Sequence, residues 1–392
     1  MSHITYDLKE NILDHFMSDE QRMVRDSARK LSEDVIAPAA ARIDSEDVFP
    51  RDTYLAMAEL GLFGVALPEA AGGVGLDAQT ACVVMEEIAR GSGAVGNAFA
   101  IPVEAGLFLN HHGSAAHKAL IPGILEGSVI PATAVTEPDH GSDVAAMKTI
   151  ARRDGEEYVI TGSKAWVTFG QVADVIMVFT KTDPNAGHKG ISCILVETDR
   201  EGVHRGKSEE LLGMHGLAEC MIAFDNVRVP VTNLIGPEHG AFKMAMENFN
   251  FSRLMMSSMA LGMAQAGMED AVAYAHDRKQ FGKPIFEHQA IQFMIADMAK
   301  DIAAARLLIQ HAARLYDAGQ PIALEAAQAK LFTTDMAQVH ISNALQIHGG
   351  NGYSREFRVE RLFRDVRLSQ IYEGTNQIQR MIIARQVGKQ YA

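Results

Sequence analysis

The spacing of apolar residues changes twice along the chain, and this change constrains the fold more than any single motif does. From about Ser18 to Leu125, and again from Ala241 onward, apolar residues recur at the spacing of amphipathic helices. Between about Pro131 and Val231 they form short runs separated by turn residues. The pattern predicts an α+β protein with three parts: an N-terminal helical domain at residues 1–130, a central antiparallel β domain at 131–235, and a C-terminal helical bundle at 236–392.

Four runs in the central part predict strands. They are rich in β-branched and aromatic residues, and turn signals such as Asp154-Gly155 and Pro184-Asn185 separate them. The predicted strands are Tyr158–Thr161, Val175–Thr180, Ile191–Val196 and Met221–Val229.

Helix boundaries are marked as well. Ser18 followed by Gln21 is typical of a helix N-cap, and Pro38 predicts that the first helix ends or kinks there. Apolar stripes from Ile291 to Ile309 and from Ala323 to Ile347 predict two long C-terminal helices.

Charge and cysteine content exclude several classes of protein. The 392 residues carry a formal net charge of −13, which offers no basic field to nucleic acid or anionic lipid. No apolar run approaches membrane-spanning length, and no basic segment followed by an apolar one begins the chain. Cys82, Cys193 and Cys220 are isolated, without disulfide or metal-site spacing. We expect a cytoplasmic protein without a nucleic-acid partner, a membrane span or a metal.

Residues Gly91 to Gly96 match the Gly-x-Gly-x-x-Gly pattern of dinucleotide-binding proteins. In that motif a strand leads into the glycines, and a helix N-terminus receives the pyrophosphate. Here the preceding residues, Cys82 to Arg90, carry charges at helical spacing, so no strand leads in. We interpret these glycines as sites of close helix packing.

A polar corner near the C-terminus, Tyr372-Glu-Gly-Thr375, places a carboxylate between two predicted helices. Gly374 is suited to break the first helix and to aim Glu373 into a cleft. A carboxylate placed in this way is a candidate general base. Taken alone, a solvated loop glutamate is the simpler interpretation.

Two segments of the β part have side chains suited to a bound ligand. Residues 133–143 run from a strand into a loop with hydroxyls and a glycine, which can present N–H groups to a ring edge or to phosphate. Residues 162–168 contain Trp166, the only tryptophan, which can stack on a planar cofactor. A polar turn and a core tryptophan are the purely structural alternatives.

Two further segments lie at predicted helix ends. Arg278 and Gln280 offer a guanidinium and an amide suited to a pyrophosphate. Residues 346–353 form a glycine-rich terminus that lets a ligand approach the backbone closely. A surface basic cluster and a plain helix stop remain the alternatives.

Together these segments resemble the acyl-CoA dehydrogenase family over nearly the whole chain. The motifs occur in the order Val135-Thr-Glu-Pro-x-x-Gly-Ser-Asp143, Trp166-Val-Thr168, Arg278-x-Gln-Phe-Gly282, Gly349-Gly-Asn-Gly352 and Ile371-Tyr-Glu-Gly-Thr375. Each is moderately specific, and five in this order are strongly so. The resemblance implies a flavoprotein with FAD between the β domain and the C-terminal helices, usually a homotetramer, which passes electrons to an electron-transferring flavoprotein.

The resemblance also implies which residues bind FAD. Those around the isoalloxazine, with Thr168 near flavin N5, would be Thr133, Val135, Thr136, Gly141, Ser142, Trp166 and Thr168. Those that meet the FAD of a neighbouring subunit would be Arg278, Gln280, Gln346, Gly349 and Gly350, and Phe281, His288 and Gln289 would also bind FAD. The catalytic loop would contribute Thr375, Asn376 and Gln377.

The implied reaction is α,β-dehydrogenation of an acyl-CoA thioester to the trans-2-enoyl-CoA. Glu373 would remove the α-proton while flavin N5 accepts the β-hydride, and the Glu373 backbone N–H with a flavin hydroxyl would stabilise the thioester oxyanion. Desolvation by the acyl chain is expected to raise the pKa of Glu373. The substrate would be faced by Ser142, Asn250, Arg253 and Gly374.

Departures from the family pattern narrow the substrate. Some members place the base on the helix that contains Asn250, where this chain has Ser252, so we expect Glu373 to be the only base. Gly96 stands where glutaryl-CoA dehydrogenases carry an arginine, which disfavours a dicarboxylic acyl group unless Arg90 or His112 substitutes.

The expected floor of the acyl pocket falls at Phe99 and Ala100, which favours a short or medium chain. Other functions on the same fold stay open: an acyl-CoA oxidase, a desulfinase, an enoyl-CoA reductase working in the reverse direction, or a non-catalytic acyl-CoA-binding protein. Loss of the base would mark the last of these, and Glu373 is present.

Overall fold

Seven helices open the part of the chain that the computed structural model describes, which is residues 17–391. They are α1 (Asp19–Leu31), α2 (Ala37–Glu46), α3 (Arg51–Glu59), α4 (Ala78–Gly91), α5 (Gly93–His112), α6 (Ala115–Lys118) and α7 (Ile121–Leu125). The predicted capping of the first helix is confirmed, because the Ser18 side chain accepts a hydrogen bond from Gln21 N at 3.1 Å and Gln21 bonds back to Ser18 N.

Pro38 does not end the helical run. It lies in the first turn of α2, and the preceding residues Ser32–Ile36 form a π-helical turn whose last bond runs from Ala37 N to Ser32 O. A proline has no N–H, so it is tolerated where the hydrogen-bond pattern changes from π to α. The prediction that the first helix ends or kinks here is therefore refined to a change of helix type.

The glycines of the Gly-x-Gly-x-x-Gly pattern pack between helices, as interpreted from the sequence. Ser92 caps α5 by accepting from Val95 N at 3.4 Å, and the preceding element is the helix α4. A Cβ on Gly91 would lie 2.6 Å from Ser32 Oγ, and one on Gly96 would lie 3.1 Å from Ala89 Cβ. Side chains there would separate the helices, so the dinucleotide motif is correctly rejected.

The central sheet has eight strands. They are β1 (Pro131–Ala134), β2 (Ile150–Asp154), β3 (Glu157–Val167), β4 (Val175–Lys181), β5 (Ile191–Glu197), β6 (Val203–Ser208), β7 (Cys220–Pro230) and β8 (Leu234–Ile235). All four predicted strands are confirmed. The order is β6-β7-β3-β2-β4-β5-β8, and β1 also pairs with β4.

The sheet is not antiparallel throughout. β1 pairs in parallel with β4, in the register Pro131↔Val175 to Ala134↔Val178, and β2 meets β4 in parallel at Ile150↔Lys181. The remaining pairings are antiparallel. The expectation of a purely antiparallel domain is thus corrected to a mixed sheet, because alternation along a strand does not report its direction.

Five helices and a two-stranded hairpin complete the described chain. They are α8 (Ala241–Asp277), the hairpin β9 (Lys279–Gln280) and β10 (Lys283–Pro284), α9 (Gln289–Asp317), α10 (Ala323–His348), α11 (Val359–Val366) and α12 (Asn376–Gln390). The two predicted long C-terminal helices are confirmed as α9 and α10, and the order of helices, sheet and helices confirms the α+β class.

The helix α8 links the N-terminal and C-terminal helices. It packs against α4 so closely that a Cβ on Gly262 would lie 2.2 Å from the carbonyl oxygen of Glu86. Most buried apolar side chains form one cluster that includes Phe99 in α5, Ile194 in β5 and Met259 in α8. Each fully buried side chain of this kind contributes about 1.5–3 kcal/mol.

Domain boundaries at residues 130 and 235 stay a prediction. The last N-terminal helix ends at Leu125, β1 begins at Pro131, and α8 begins at Ala241. Within residues 17–391, no helix is long and apolar enough to cross a membrane. The same residues contain no His, Cys, Asp or Glu cluster that could hold a metal ion.

Candidate active site

The corner between α11 and α12 has an unusual backbone. Glu373 has φ 53° and Gly374 has φ 84°, so two consecutive residues lie in the left-handed region. Thr375 then caps α12 by accepting from Ile378 N at 3.3 Å. A non-glycine residue in this region costs about 1–2 kcal/mol and persists only where the surroundings hold it. The left-handed backbone of Gly374 agrees with the helix break that the sequence predicted there.

Three side chains hold the corner by its carbonyl groups. Arg253 Nε donates to the carbonyl oxygen of Glu373 at 3.3 Å, and Gln379 Nε2 donates to it at 3.1 Å. The carbonyl oxygen of Gly374 accepts from Gln379 Nε2 at 2.7 Å and from Lys330 Nζ at 3.1 Å. Because Arg253, Lys330 and Gln379 are all buried, the peptide groups of Glu373 and Gly374 are fixed from α8, α10 and α12 together.

The carboxylate of Glu373 is left without a bonded partner. Its Oε2 is buried and accepts no hydrogen bond from any residue between 17 and 391. Burial raises the pKa of Glu373 above its usual range, while the charges of Arg253 and Lys330 lower it again. A desolvated, unbonded carboxylate of raised pKa has the properties of a general base.

A second carboxylate, Glu104 in α5, shares this environment. It is partly buried and accepts a very short hydrogen bond from the hydroxyl of Ser252. Burial and the nearby charge of Glu373 raise the pKa of Glu104 to about 8, against a smaller opposing effect of Ser252. Because the charge of Glu373 acts on Glu104, the two carboxylates titrate as a pair.

On the sheet side, the segments of the first two motifs run side by side. The backbone N–H of Ala165 donates to the carbonyl oxygen of Thr136 at 2.9 Å, which brings Thr136 beside Trp166. Trp166 has φ 57° and is 57 % exposed, between the buried residues Ala165 and Val167. The sequence alternative of a core tryptophan is therefore wrong. The indole is turned outward, and Thr133 is exposed while Val135 and Thr168 are partly exposed.

A buried ion pair lies under this surface. Lys164 Nζ lies 3.0 Å from Glu137 Oε1 and also donates to the carbonyl oxygen of Val135 at 2.9 Å. Burial lowers the pKa of Lys164 to about 8, against the charge of Glu137. Glu137 accepts in addition from Lys148 N at 2.6 Å and Thr149 N at 2.8 Å. The pair anchors the loop that carries the exposed residues Gly141 and Ser142.

The residues assigned to a neighbouring FAD lie in a second, exposed group. Phe281 is 93 % exposed with φ 54° at the tip of the hairpin, and Tyr274 near the end of α8 stacks on His348 at 4.4 Å. Gln346 follows Lys330 in α10 by 16 residues, roughly 24 Å along the helix. The second group is thus well separated from the Glu373 corner. Its exposed or partly exposed members are Arg278, Gln280, Phe281, His288, Gln289, Gln346, Gly349 and Gly350.

Other predicted residues lie at the corner itself. Asn250 Oδ1 accepts from Arg253 Nη1 at 2.9 Å, so both belong to the support of Glu373. The side chain of Asn376 is buried and bonded to Lys330, Thr334 and Asp335, which leaves its backbone as the group available to a ligand. Gln377 is exposed.

Three site residues were missed by the sequence interpretation. Glu104 is the only carboxylate in the apolar stretch 93–112, and Lys330 lies on the same helical face as the buried Ala326 and Ala337. Lys164 lies on a strand beside buried apolar positions. A single charge on an otherwise apolar face is the signal that could have found all three, because such a charge is rarely buried without a partner.

Family models match the three parts of the chain in order. They describe the acyl-CoA dehydrogenase N-terminal domain at residues 18–128, the middle domain at 132–227 and the C-terminal domain at 239–388. The chain belongs to the acyl-CoA dehydrogenase family. It is therefore an oxidoreductase of a family of FAD-binding flavoproteins that dehydrogenate acyl-CoA thioesters.

Relatives include both dehydrogenases and reductases. An acyl-CoA dehydrogenase of Bacillus subtilis is 41 % identical over 367 residues, which cover 93 % of this chain and 96 % of the relative. An acryloyl-CoA reductase (NADH) of Anaerotignum propionicum is 38 % identical over 380 residues, which cover 96 % of each. The solved structure of butyryl-CoA dehydrogenase from Megasphaera elsdenii superposes with a TM-score of 0.92 at 33 % identity, covering 95 % of this chain and 98 % of that one.

Proposed function

We propose that this chain oxidises the Cα–Cβ bond of an acyl-CoA thioester to the trans-2-enoyl-CoA, with Glu373 as the base that removes the α-proton. The observation that carries the proposal is the buried Oε2 of Glu373, which accepts no hydrogen bond within the described residues although the corner around it is held by three buried side chains. A structural carboxylate in such a position would be paired.

The surface of the β domain fits a planar cofactor. Trp166 presents an exposed indole from a strained backbone position, next to the hydroxyl-bearing residues Thr136 and Thr168. We infer that FAD lies here, lined also by Thr133, Val135, Gly141 and Ser142, with backbone contacts from Thr375, Asn376 and Gln377. When bound, FAD would supply the acceptor of the β-hydride.

Substrate activation rests on the backbone of the corner. The N–H of Glu373 donates to no acceptor among the described residues, and the carbonyl groups beside it are fixed by Arg253, Lys330 and Gln379. A preorganised N–H can stabilise the negative charge that develops on the thioester oxygen and so acidify the α-proton. Ser142, Asn250 and Gly374 would complete the substrate contacts.

Ser252 cannot act as a second base, since it is a hydroxyl that donates to Glu104. A glutaryl-type substrate is disfavoured, because Gly96 is packed against Ala89 and the alternative Arg90 is bonded to Glu269 at 2.8 Å. Phe99 and Ala100 are fully buried in α5, consistent with the floor of a short or medium pocket.

The exposed group around Phe281 favours assembly. An aromatic side chain with 93 % exposure is typical of an interface position, and the group is too far along α10 to serve the same Glu373 corner. We infer a homotetramer in which Arg278, Gln280, Gln346 and Gly349 meet the FAD of a neighbouring subunit. The proposed electron acceptor is an electron-transferring flavoprotein, and the proposed location is cytoplasmic, in keeping with three unpaired, buried cysteines.

The decisive experiment is an anaerobic titration of the purified protein, followed by flavin absorbance, with straight, branched and aromatic acyl-CoAs. We expect one class to bleach the flavin. If no saturated acyl-CoA does so but an enoyl-CoA reoxidises the reduced protein, the chain works as a reductase instead. Absence of flavin from the protein would contradict the cofactor assignment.

The variant Glu373→Gln tests the base. It should keep FAD and ligand binding but reduce flavin about 10²- to 10⁴-fold more slowly, the usual contribution of general base catalysis. Glu247→Gln, an exposed carboxylate in α8, is the matched control and should behave as the wild type. Reduction at the wild-type rate by Glu373→Gln would exclude Glu373 as the base.

A further inference from the structure

A small cavity lies between α5, α8 and the sheet, and its lining is not purely apolar. Its volume is about 20 Å³, and the residues that line it include the polar Glu104, Asn248 and Thr133. The rest of the wall includes three phenylalanine rings, Phe108, Phe179 and Phe249. An acyl pocket for simple alkyl chains needs no carboxylate, so Glu104 calls for an explanation.

Glu104 has no cationic partner. Its one hydrogen bond within residues 17–391 comes from Ser252, and no lysine, arginine or histidine in that range forms an ion pair with it. The charge that acts on its pKa is the like charge of Glu373. A carboxylate in this setting is costly in its ionised form unless a cation comes from elsewhere.

Glu104, in the wall of the cavity, lies electrostatically close to the reacting end of the site. Ser252 is adjacent to Arg253, whose side chain bonds to the carbonyl oxygen of Glu373. The charge of Glu373 also acts directly on Glu104. An acyl chain whose α-carbon lies at Glu373 reaches Glu104 if it runs between α5 and α8, the helices that carry Glu104 and Ser252.

Size and ring lining indicate the chemical class of the group that fits. A cavity needs about 10–15 Å³ to hold one water-sized group, so about 20 Å³ takes a primary ammonium but not a trimethylammonium. Aromatic faces attract cations, and Phe108 and Phe179 lie together with ring centroids 6.1 Å apart. An ammonium would also favour the ionised form of Glu104 by its opposite charge.

We propose that the preferred substrate is an ω-amino acyl-CoA. Its terminal ammonium binds to Glu104 in the cavity that Phe108, Phe179 and Phe249 also line. This inference rests on the proposed function and deepens it by naming the substrate class. Glu104 acts as a specificity-determining residue, and Glu373 remains the base.

The test compares isosteric pairs of substrates, in which –NH₃⁺ replaces a terminal –CH₃. The pairs are 4-aminobutanoyl-CoA with pentanoyl-CoA, 5-aminopentanoyl-CoA with hexanoyl-CoA, and 6-aminohexanoyl-CoA with heptanoyl-CoA. For wild type, Glu104→Gln and the control Glu247→Gln, kcat/KM of flavin reduction and the Kd by calorimetry are measured for each ligand. Calorimetry is carried out with each variant in the Glu373→Gln background, where flavin reduction is slow, so that the heat reports binding and not turnover.

We expect the wild type to prefer the ammonium member of at least one pair. Glu104→Gln should lower that preference by about 10- to 100-fold, the usual effect of removing a charged hydrogen-bond partner, and Glu247→Gln should leave it unchanged. Phe249→Leu, which keeps the carboxylate, should lower the preference by about 2- to 5-fold. This second variant keeps the proposal testable if Glu104→Gln does not fold.

Failure of this inference is distinguishable from failure of the proposed function. Efficient reduction by alkyl acyl-CoAs, with no ammonium preference in kcat/KM or Kd and no effect of Glu104→Gln, would overturn the specificity and leave the dehydrogenase function intact. Ammonium binding that depends on Glu104, without flavin reduction by any ligand, would support the specificity and overturn the proposed direction of reaction.

Discussion

Lys330, fully buried in α10, donates a hydrogen bond of 3.1 Å to the carbonyl oxygen of Gly374, the residue directly after Glu373. Its Nζ also donates to Asn376 Oδ1 at 2.8 Å. Burial lowers the pKa of Lys330 to about 7, while the charge of Glu373 raises it again. One lysine thus fixes the backbone of the corner and acts electrostatically on its carboxylate.

Lys330→Met should therefore change both stability and the pH profile. Gly374 and Asn376 keep other partners, Gln379 and Thr334, so we expect a loss of only about 1 kcal/mol in the free energy of unfolding. Removal of the cation should raise the pKa of Glu373 further, because the charge of Lys330 lowers it in the wild type. Since the base acts in its deprotonated form, the acid limb of kcat/KM should move to higher pH.

The matched control is Lys300→Met, at an exposed lysine that pairs with Asp297 at 2.8 Å. It should leave the profile unchanged. A Lys330→Met enzyme with reduced stability but an unshifted pH profile would show that Lys330 is a structural residue alone.

Glu104 predicts a pH dependence of stability. Its carboxyl has a pKa of about 8 in the native state and about 4.3 in the unfolded chain, so the native state binds the extra proton in this window. The stability that this proton contributes is fully present below about pH 4.3 and is lost as pH rises through 8. The Tm of the wild type minus that of Glu104→Gln should therefore fall between about pH 5 and pH 9.

Glu373→Gln supplies an internal check on this effect. It removes the like charge that helps to raise the pKa of Glu104, so the window should move to lower pH. A difference in Tm that stays constant across the pH range would contradict the raised pKa of Glu104.

The buried pair of Lys164 and Glu137 predicts strong coupling. Lys164→Met leaves the Glu137 charge buried and unpaired. We expect the free energy of unfolding, measured with urea, to fall by about 3–5 kcal/mol. The double variant Lys164→Met/Glu137→Gln should recover part of this loss, because it removes the unpaired charge. Purely additive losses would mean that the two residues do not interact.

An exposed ion pair in the same loop serves as the control for these Lys164 and Glu137 variants. Lys148 and Asp139 lie 3.6 Å apart with both side chains mostly in solvent. Lys148→Met should have no measurable effect on unfolding, because exposed ion pairs contribute little.

The same substitution is predicted to have different effects at two glycines of α8, because only Gly262 lies in the close contact with α4. In Gly262→Ala the Cβ would lie 2.2 Å from the carbonyl oxygen of Glu86 and 3.0 Å from the backbone nitrogen of Arg90, so the helices must separate. We expect a loss of about 2–3 kcal/mol in the free energy of unfolding.

Gly267→Ala in the same helix is the matched variant. Its Cβ would come no closer than 3.4 Å, to Ile341 Cγ1, which is an ordinary contact. Alanine is favoured over glycine in a helix by about 1 kcal/mol, so this variant should be neutral or more stable. Equal destabilisation by both substitutions would contradict the close approach at Gly262.

The sequence determined the elements of this protein because their signals are local. Apolar spacing predicted the three-part order and four strands, and Gly374 predicted a break in the helical run beside Glu373. The glycine pattern at residues 91–96 follows the helix α4 and not a strand, and Gly91 and Gly96 pack against neighbouring helices. Both findings agree with the rejection of the dinucleotide motif. Five motifs in order were enough to indicate the family, and the roles carried over from it to individual residues stay predictions.

Only the tertiary structure decided how distant segments meet. The parallel pairing of β1 with β4 could not be predicted, because alternation along a strand is the same in both directions. Glu104 in α5 and Glu373 in the corner before α12 are 269 residues apart in the sequence, and Lys330 belongs to another helix, α10. The charge of Glu373 raises the pKa of Glu104, and Glu373 and Lys330 favour each other's charged forms, because the three groups are buried in one shared site. Burial and Coulomb energy depend on distance in space, which no local pattern in a single sequence records.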